Sequence, residues 1–241
     1  MILDNVTEFV VLSEFQKQRF EIAGIPERKI SVLPNYAPIP RTDNDKNLYL
    51  GDKIVFAGRL SPEKGVLTFL EAAKRLPQYK FVIAGDAGDV RIKPKQILSN
   101  VQFLGHVSHS TLMKIYEQAR IVIVPSLCFE GFPNVLVEAM GMSKSVICSN
   151  IGGLPEIVDD EVTGLLFEPG NAEDLAQRIR YLWDRPDVCR QMGAAGREKA
   201  LQEYSPEKYY VRLMAIFDKA IEWCSHNKHQ SPRLVNTGST L

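Results

Sequence analysis

The chain has 241 residues, of which 45% are hydrophobic and 24% are charged, as in a globular protein with a buried core. Lysine and arginine together number 29, as do aspartate and glutamate, so no net charge favours nucleic acid or anionic lipid. We therefore expect no nucleic-acid partner. We expect neither a membrane-spanning segment nor a signal peptide, because the sequence has no apolar run of spanning length and its first residues show no basic region followed by an apolar stretch.

Short apolar segments alternate with longer helical patterns. The predicted strands are 9–12, 30–33, 54–57, 81–84, 101–104, 121–124, 146–148 and 164–167. The predicted helices are 14–23, 64–76, 109–119, 134–142, 172–183, 187–202 and 206–223. The strands are continuous runs of Val, Ile, Phe and Ala, as in parallel sheets buried on both faces. The predicted fold class is α/β, a Rossmann-like, doubly wound parallel sheet with a helical C-terminus.

The two ends of the chain differ from its middle. Residues 1–34 contain a strand–helix–strand piece with too few strands for a sheet of its own, so we expect these strands to need a partner. The remaining predicted units are a polar linker, the main domain, a terminal helix and a disordered tail, at 35–52, 53–204, 205–223 and 224–241.

The four cysteines show no spacing typical of a metal site. Cys148 lies within an apolar run, where a reduced thiol behaves as a small core residue. Together these features predict a reducing, cytoplasmic environment.

The segment from Ala57 to Gly65 directly follows a predicted strand and leads into a predicted helix. The N–H groups and the dipole of a helix start favour a bound anion. Gly58 lets the backbone approach a ligand, while Arg59 and Lys64 supply two cations suited to a diphosphate. An isolated pair with this spacing is more often a solvated turn, but its position after a parallel strand favours a ligand site.

A second candidate segment, from Pro125 to Met140, also follows a predicted strand. Glu130 lies in its loop, and Glu138 lies on the helix that begins near Pro133. A carboxylate accepts hydroxyl hydrogen bonds worth about 1.5–3 kcal/mol each. Glu130 therefore suits the hydroxyls of a sugar and Glu138 those of a ribose. Either acid alone would be interpreted as a surface charge, but with the two cations they predict a nucleotide-sugar site.

Four motifs resemble those of the retaining glycosyltransferases of family 4, named for the group 1 glycosyl transferases. These motifs are Gly58-Arg59 with Lys64-Gly65, Phe103-Leu-Gly105, Pro125-Ser126, and Glu130 with Glu138 inside EGFPNVLVEAM. The resemblance extends from about Val6 to Trp223. It implies the GT-B fold, with this chain as the C-terminal, donor-binding domain preceded by a partial strand–helix–strand piece of the N-terminal domain.

The resemblance implies specific roles for the site residues. Arg59 and Lys64 would bind the diphosphate and, with Glu130, would be the catalytic residues. Glu138 would bind the ribose, and the main chain near Val107 would contact the base. The full donor-binding set is Gly58, Arg59, Lys64, Val107, Glu130, Gly131, Phe132, Asn134 and Glu138. No metal or other cofactor is expected, because the cations replace the ion that other folds use.

The activity implied is that of a hexosyltransferase that moves a sugar from a nucleoside-diphosphate sugar to an acceptor hydroxyl with retention. The expected partners are the donor, an acceptor that is a saccharide or a lipid-linked saccharide, and an N-terminal domain or separate subunit. Family members often build bacterial surface polysaccharides on lipid carriers, which implies a cytoplasmic protein, peripheral at the inner face of the membrane. These motifs do not specify the base, the sugar or the acceptor.

Other interpretations stay open. One is a non-catalytic donor-binding subunit that needs a separate acceptor-binding chain, and another is a nucleotide-sugar epimerase of the same fold. A glycosidase using Glu130 and Glu138 fits less well, because it leaves Arg59 and Lys64 unexplained.

Two histidines, His106 and His109, have a metal-like spacing. A protein metal site wants three or four ligands, and no carboxylate or cysteine lies near them in the sequence. We therefore expect no metal site there.

Overall fold

The computed structural model describes residues 6–39, 51–86 and 98–227. The strands are β1 (Phe9–Val11), β2 (Ile30–Val32), β3 (Lys53–Ala57), β4 (Lys80–Ala84), β5 (Val101–Gly105), β6 (Ala119–Val124), β7 (Ser145–Ser149) and β8 (Gly164–Phe167). The helices are α1 (Glu14–Ile22), α2 (Val66–Arg75), α3 (His109–Glu117), α4 (Asn134–Gly141), α5 (Leu154–Ile157), α6 (Ala172–Trp183), α7 (Pro186–Glu203) and α8 (Pro206–Asn227). Short 3₁₀ turns form at Glu27–Lys29 and Pro62–Lys64.

Six strands form one parallel sheet in the order β5-β4-β3-β6-β7-β8. The chain builds outward from β3 through β4 to β5, then returns to place β6 on the other side of β3. This reversal opens a crevice at the carboxyl ends of β3 and β6, which is where open α/β sheets bind ligands.

Both faces of this sheet are covered by helices. Alternate strand residues point to opposite faces, so Ile54 packs in the same cluster as residues of α2 and α6, while Val55 packs with residues of α3, α4 and α7. The apolar side chains of the central strands β3, β6 and β7 are buried. The predicted doubly wound α/β fold is therefore confirmed.

The N-terminal piece is a separate unit in which β1 pairs with β2 in parallel, from Phe9 opposite Ile30. The expectation that these strands could not form a sheet of their own is wrong, because β1 and β2 form backbone hydrogen bonds with each other along one edge. Glu156 of α5 fixes the unit, since its two carboxylate oxygens accept hydrogen bonds from the N–H groups of Glu14 and Phe15 at 2.8 and 2.7 Å. These are among the unsatisfied N–H groups at the start of α1.

The largest difference from the predicted elements is at α8. The helix continues to Asn227, so residues 224–227 are helical rather than part of a disordered tail. Residues 228–241, like residues 40–50 of the predicted linker, lie outside the described residues. Among the described helices, none combines the length and the apolar character that crossing a bilayer requires.

Candidate functional site

The loops after β3 and β6 are packed backbone against backbone. Gly65, which follows the 3₁₀ turn, has φ 71°, and a Cβ added there would lie 1.7 Å from the carbonyl oxygen of Pro125. The Leu127 N–H also donates to the Glu63 carbonyl at 2.8 Å. Only glycine allows this approach, which brings Lys64 beside the loop that carries Glu130.

Three polar side chains meet at this contact. The Lys64 ammonium nitrogen lies 2.6 Å from Oε1 of Glu130. The Ser126 hydroxyl donates to the same oxygen at 2.5 Å. The Glu130 side chain is 11% exposed and that of Lys64 is 28% exposed. Within the described residues, Oε2 of Glu130 accepts no hydrogen bond, so one carboxylate oxygen is held by the protein and the other is left for a ligand.

A cavity of about 410 Å³ lies beside this cluster, and we call it the Lys64 cavity. Its lining residues are Asn35, Phe56, Ala57, Gly58, Arg59, Lys64, Val124, Pro125, Ser126, Glu130, Phe132, Pro133, Asn134 and Val135. The Arg59 side chain is 68% exposed, and its guanidinium lies 4.0 Å from Glu63. Such a loosely held surface pair contributes little, so this guanidinium can turn toward a bound anion.

A second cavity of about 340 Å³ adjoins the first, and we call it the Val107 cavity. The two share Ala57, Gly58, Arg59 and Val135 in their walls. The other residues of the Val107 cavity are Ala84, Gly85, Asp86, His106, Val107 and Leu112. Together the cavities form one crevice across the carboxyl ends of β3, β4, β5 and β6, in the size range of small-molecule sites.

Glu138 lies to the side of this crevice. It is one helical turn after Val135 on α4, but it lines neither cavity, and its side chain is 12% exposed. Its Oε1 lies 3.3 Å from Nε2 of His109. Burial, and secondarily the Glu138 carboxylate, raise the pKa of the neighbouring Tyr116 phenol.

The remaining predicted donor contacts divide into two groups. Phe132 and Asn134 line the Lys64 cavity, as the predicted sugar contacts should. Gly131 lines neither cavity, and a Cβ added there would lie 2.4 Å from the side-chain nitrogen of Gln16. Gly131 therefore lies against α1, and a side chain there would displace the end of the flexible Gln16 side chain.

Three residues without a role in the sequence prediction contact predicted site residues. Ser126 belongs to a quoted motif and lies four residues before Glu130, a short-range signal that could have revealed their contact. Asn35 lines the Lys64 cavity and donates to Asn134 at 3.4 Å. His109 contacts Glu138. The last two contacts join distant segments, and the sequence carries no signal for them.

A protein metal site usually takes three or four ligands, and the described residues are 6–39, 51–86 and 98–227. No group of three or more His, Cys, Asp or Glu side chains in these ranges could hold a metal ion. The structure gives the two spaced histidines different surroundings: His106 lines the Val107 cavity, and His109 pairs with Glu138.

The family model "Glycosyl transferases group 1" matches residues 41–199. The lipopolysaccharide 1,2-N-acetylglucosaminetransferase of Salmonella typhimurium is 30% identical over 90% of this chain and 64% of its own length. The alpha-maltose-1-phosphate synthase of Mycolicibacterium smegmatis is 31% identical over 69% of this chain and 47% of its own length. The chain thus spans less than two thirds of each of these relatives.

Solved structures resemble this fold. A glycosyltransferase from Rickettsia africae superposes with a TM-score of 0.79 at 24% identity, covering 90% of this chain and 64% of that one. The Anabaena protein HepE, solved in complex with UDP and glucose, gives a TM-score of 0.77 at 22% identity, covering 88% and 63%. At these identities the likeness to solved structures shows the GT-B fold. The family model matches more than half of the chain, and the chain therefore belongs to the group 1 glycosyl transferases.

Proposed function

We propose that this chain is the donor-binding half of a retaining hexosyltransferase that takes a sugar from a nucleoside-diphosphate sugar. One observation carries the proposal: Arg59 and Lys64 from the loop after β3 and Glu130 from the loop after β6 line the same cavity. Cations for a diphosphate and a carboxylate for sugar hydroxyls are thereby within reach of one small molecule.

Donor binding would exchange the partners of Lys64. In the structure the Lys64 ammonium pairs with Glu130 at 2.6 Å. A diphosphate beside Lys64 would take over this ammonium, with the exposed Arg59 guanidinium turning in as a second cation. Glu130, still held at Oε1 by Ser126, would then accept hydrogen bonds from the hydroxyls of the sugar.

The reaction would use the same groups. When the bond between the anomeric carbon and the diphosphate oxygen breaks, negative charge grows on the departing diphosphate. Lys64 and Arg59 would interact more strongly with this charge than with the intact donor, which lowers the barrier. Removing one such group commonly lowers the rate by about 10²–10³-fold.

The nucleoside would lie toward the Val107 cavity. The main chain near Val107 would contact the base, and the ribose would lie between the two cavities within reach of Glu138. We also propose that no metal takes part, because the two cations supply the charge that a metal would supply. Donor binding in excess chelator, equal to binding in its absence, would support this, and loss of binding would contradict it.

The acceptor site would belong to another domain or subunit. The Salmonella and Mycolicibacterium relatives are longer than this chain, which leaves room in them for a further domain. The outer edges of β1 and β2 have no pairing strand within the described residues, and they could pair with that domain. A saccharide or lipid-linked acceptor and a cytoplasmic location, peripheral at the inner face of the membrane, belong to the same proposal. The four cysteines, which form no disulfide, agree with a reducing compartment.

A thermal-shift panel of uridine, guanosine and adenosine diphosphates and their sugars tests the proposal. A ligand at 100 times its Kd stabilises the folded chain by about 2.7 kcal/mol, which is readily measured. We expect at least one nucleotide sugar to raise the Tm of the wild-type chain.

Two lysine variants serve as a matched pair in this panel. Lys64→Met should lose the shift, because the diphosphate loses its cation. Lys80→Met should keep the shift, because Lys80 lies at the amino end of β4, away from the carboxyl ends that form the crevice, and pairs with Asp52. Absence of a shift with every ligand, or equal shifts for the two variants, would refute the proposed donor site.

A further inference from the structure

The contact between His109 and Glu138 is the feature of the crevice that the proposed function leaves unexplained. Nε2 of His109 lies 3.3 Å from Oε1 of Glu138. The imidazole is 56% exposed, so the fold does not require it for packing, whereas the carboxylate is 12% exposed. A half-exposed group is thus placed against a largely buried acid.

Neither residue lines a cavity, but each lies one helical turn from a residue that does. His109 is the first residue of α3, and Leu112, one turn later, lines the Val107 cavity. Glu138 is one turn after Val135, which lines both cavities. The start of α3 is fixed, because the Ser108 hydroxyl accepts a hydrogen bond from the Thr111 N–H at 3.2 Å. The imidazole is therefore held at the edge of the crevice by an ordered helix start.

The contact with His109 occupies only one of the two carboxylate oxygens of Glu138. Oε1 of Glu138 faces the imidazole, and within the described residues Oε2 accepts no hydrogen bond. A carboxylate whose rotation is restrained on one oxygen presents the other in a defined direction. A ribose offers two adjacent hydroxyl donors to such an acceptor.

We propose that His109 is a positioning residue for the donor's ribose: it orients Glu138 so that the carboxylate accepts from the 2′-hydroxyl. This inference rests on the proposed nucleotide-sugar function and extends it to the choice between ribose and 2′-deoxyribose. Because His109 follows Val107 by two residues, the group that orients the ribose contact lies on the segment that would contact the base. A change in this segment would then affect the base contact directly and the ribose contact through Glu138.

The test compares Kd values for a nucleoside diphosphate and its 2′-deoxy form by calorimetry, using the base that gives the largest shift in the panel. We expect wild type to prefer the ribonucleotide by about tenfold, the equivalent of about 1.4 kcal/mol. His109→Ala should reduce this preference to less than about threefold and leave the Kd of the 2′-deoxy form unchanged.

Two conservative variants separate positioning from a general structural effect. His109→Gln places an amide N–H donor at a similar distance and should restore the preference, whereas the shorter His109→Asn should not. All three variants should keep the wild-type Tm, because the side chain is half-exposed.

The outcomes distinguish this inference from the proposed function. If wild type binds no nucleotide, the proposed function fails. If wild type binds nucleotides but does not prefer ribose, or if His109→Ala keeps the full preference, the role of His109 is refuted while the donor site stands. Equal loss for both nucleotides in His109→Ala would also refute it, since it would show an effect unrelated to the 2′-hydroxyl.

Discussion

Two turns beside the cavities, one at Gly65 and one at Gly105, differ in how closely they are packed. Around the Lys64 cavity, two loops touch through their backbones at Gly65 and Pro125, and the charged side chains contact one another. Around the Val107 cavity, Gly105 also has a positive φ of 66°, but a Cβ added there would meet nothing within 4 Å. Among the described residues, Gly65 is therefore closely packed and Gly105 has space beside it.

The contrast concerns these two turns and not the whole cavities. Gly85, which lines the Val107 cavity, is packed as closely as Gly65, because a Cβ added there would lie 1.8 Å from the carbonyl oxygen of Gly58.

Alanine at Gly65 and at Gly105 tests the packing difference directly, and Gly65→Ala has the largest expected effect. Both substitutions force a side chain into a positive φ, at a cost of about 1–2 kcal/mol. Only Gly65→Ala adds a clash with a backbone carbonyl. We expect its free energy of unfolding in urea to fall by at least about 3 kcal/mol. Equal losses in the two variants would show that the loops after β3 and β6 can separate easily.

Replacing the acid at the centre of the Lys64 cavity should change two affinities in opposite directions. Glu130→Gln removes a negative charge beside the proposed diphosphate and releases Lys64, so the nucleoside diphosphate should bind about three- to tenfold more tightly. The nucleotide sugar should gain less or lose affinity, because its hydroxyls lose a charged acceptor. Calorimetry with both ligands measures the two effects.

The control for this variant is Glu63→Gln. Glu63 is a nearby exposed acid, 4.0 Å from Arg59. Its removal should change both affinities in the same direction by less than about threefold. If Glu130→Gln behaves in the same way, Glu130 does not distinguish the sugar from the diphosphate.

The smallest effect is expected in the Val107 cavity. If the base is contacted through the main chain, Val107→Ala should change the Kd of the preferred nucleotide by less than about threefold, since the substitution keeps the main-chain groups. A loss of more than about tenfold in a fluorescence or calorimetric titration would show that the side chain itself binds the base.

Much of this molecule could be predicted from its sequence. The strands are continuous apolar runs and the helices have clear periodicity, so most element ends lie close to their predicted positions. Lys64 and Glu130 follow strands that prove to be neighbours in the sheet, and the carboxyl ends of parallel strands share one edge. Their proximity follows from this strand order together with the close approach at Gly65. The alternation of strands and helices indicates the parallel sheet but not the order of its strands.

The remaining contacts depend on how helices rotate and dock. Whether Glu138 faces the cavity or α3 is set by the packing of α4, and the sequence does not encode this rotation in a local pattern. The packing of Gly131 against Gln16 depends on where the N-terminal piece sits. A donor contact and a packing contact at Gly131 look the same in the sequence, because a small residue suits both.

The position of Glu156 links the N-terminal piece mechanically to the acid of the Lys64 cavity. Its carboxylate holds the first turn of α1, and Gly153, just before α5, donates to the carbonyl of Glu130 at 3.4 Å. The Phe15 ring also packs on the ring of Phe129, with centroids 4.8 Å apart. A rotation of the N-terminal piece would pull on the Glu130 loop from both contacts. A movement of the N-terminal piece would then also change the position of the Glu130 side chain in the Lys64 cavity.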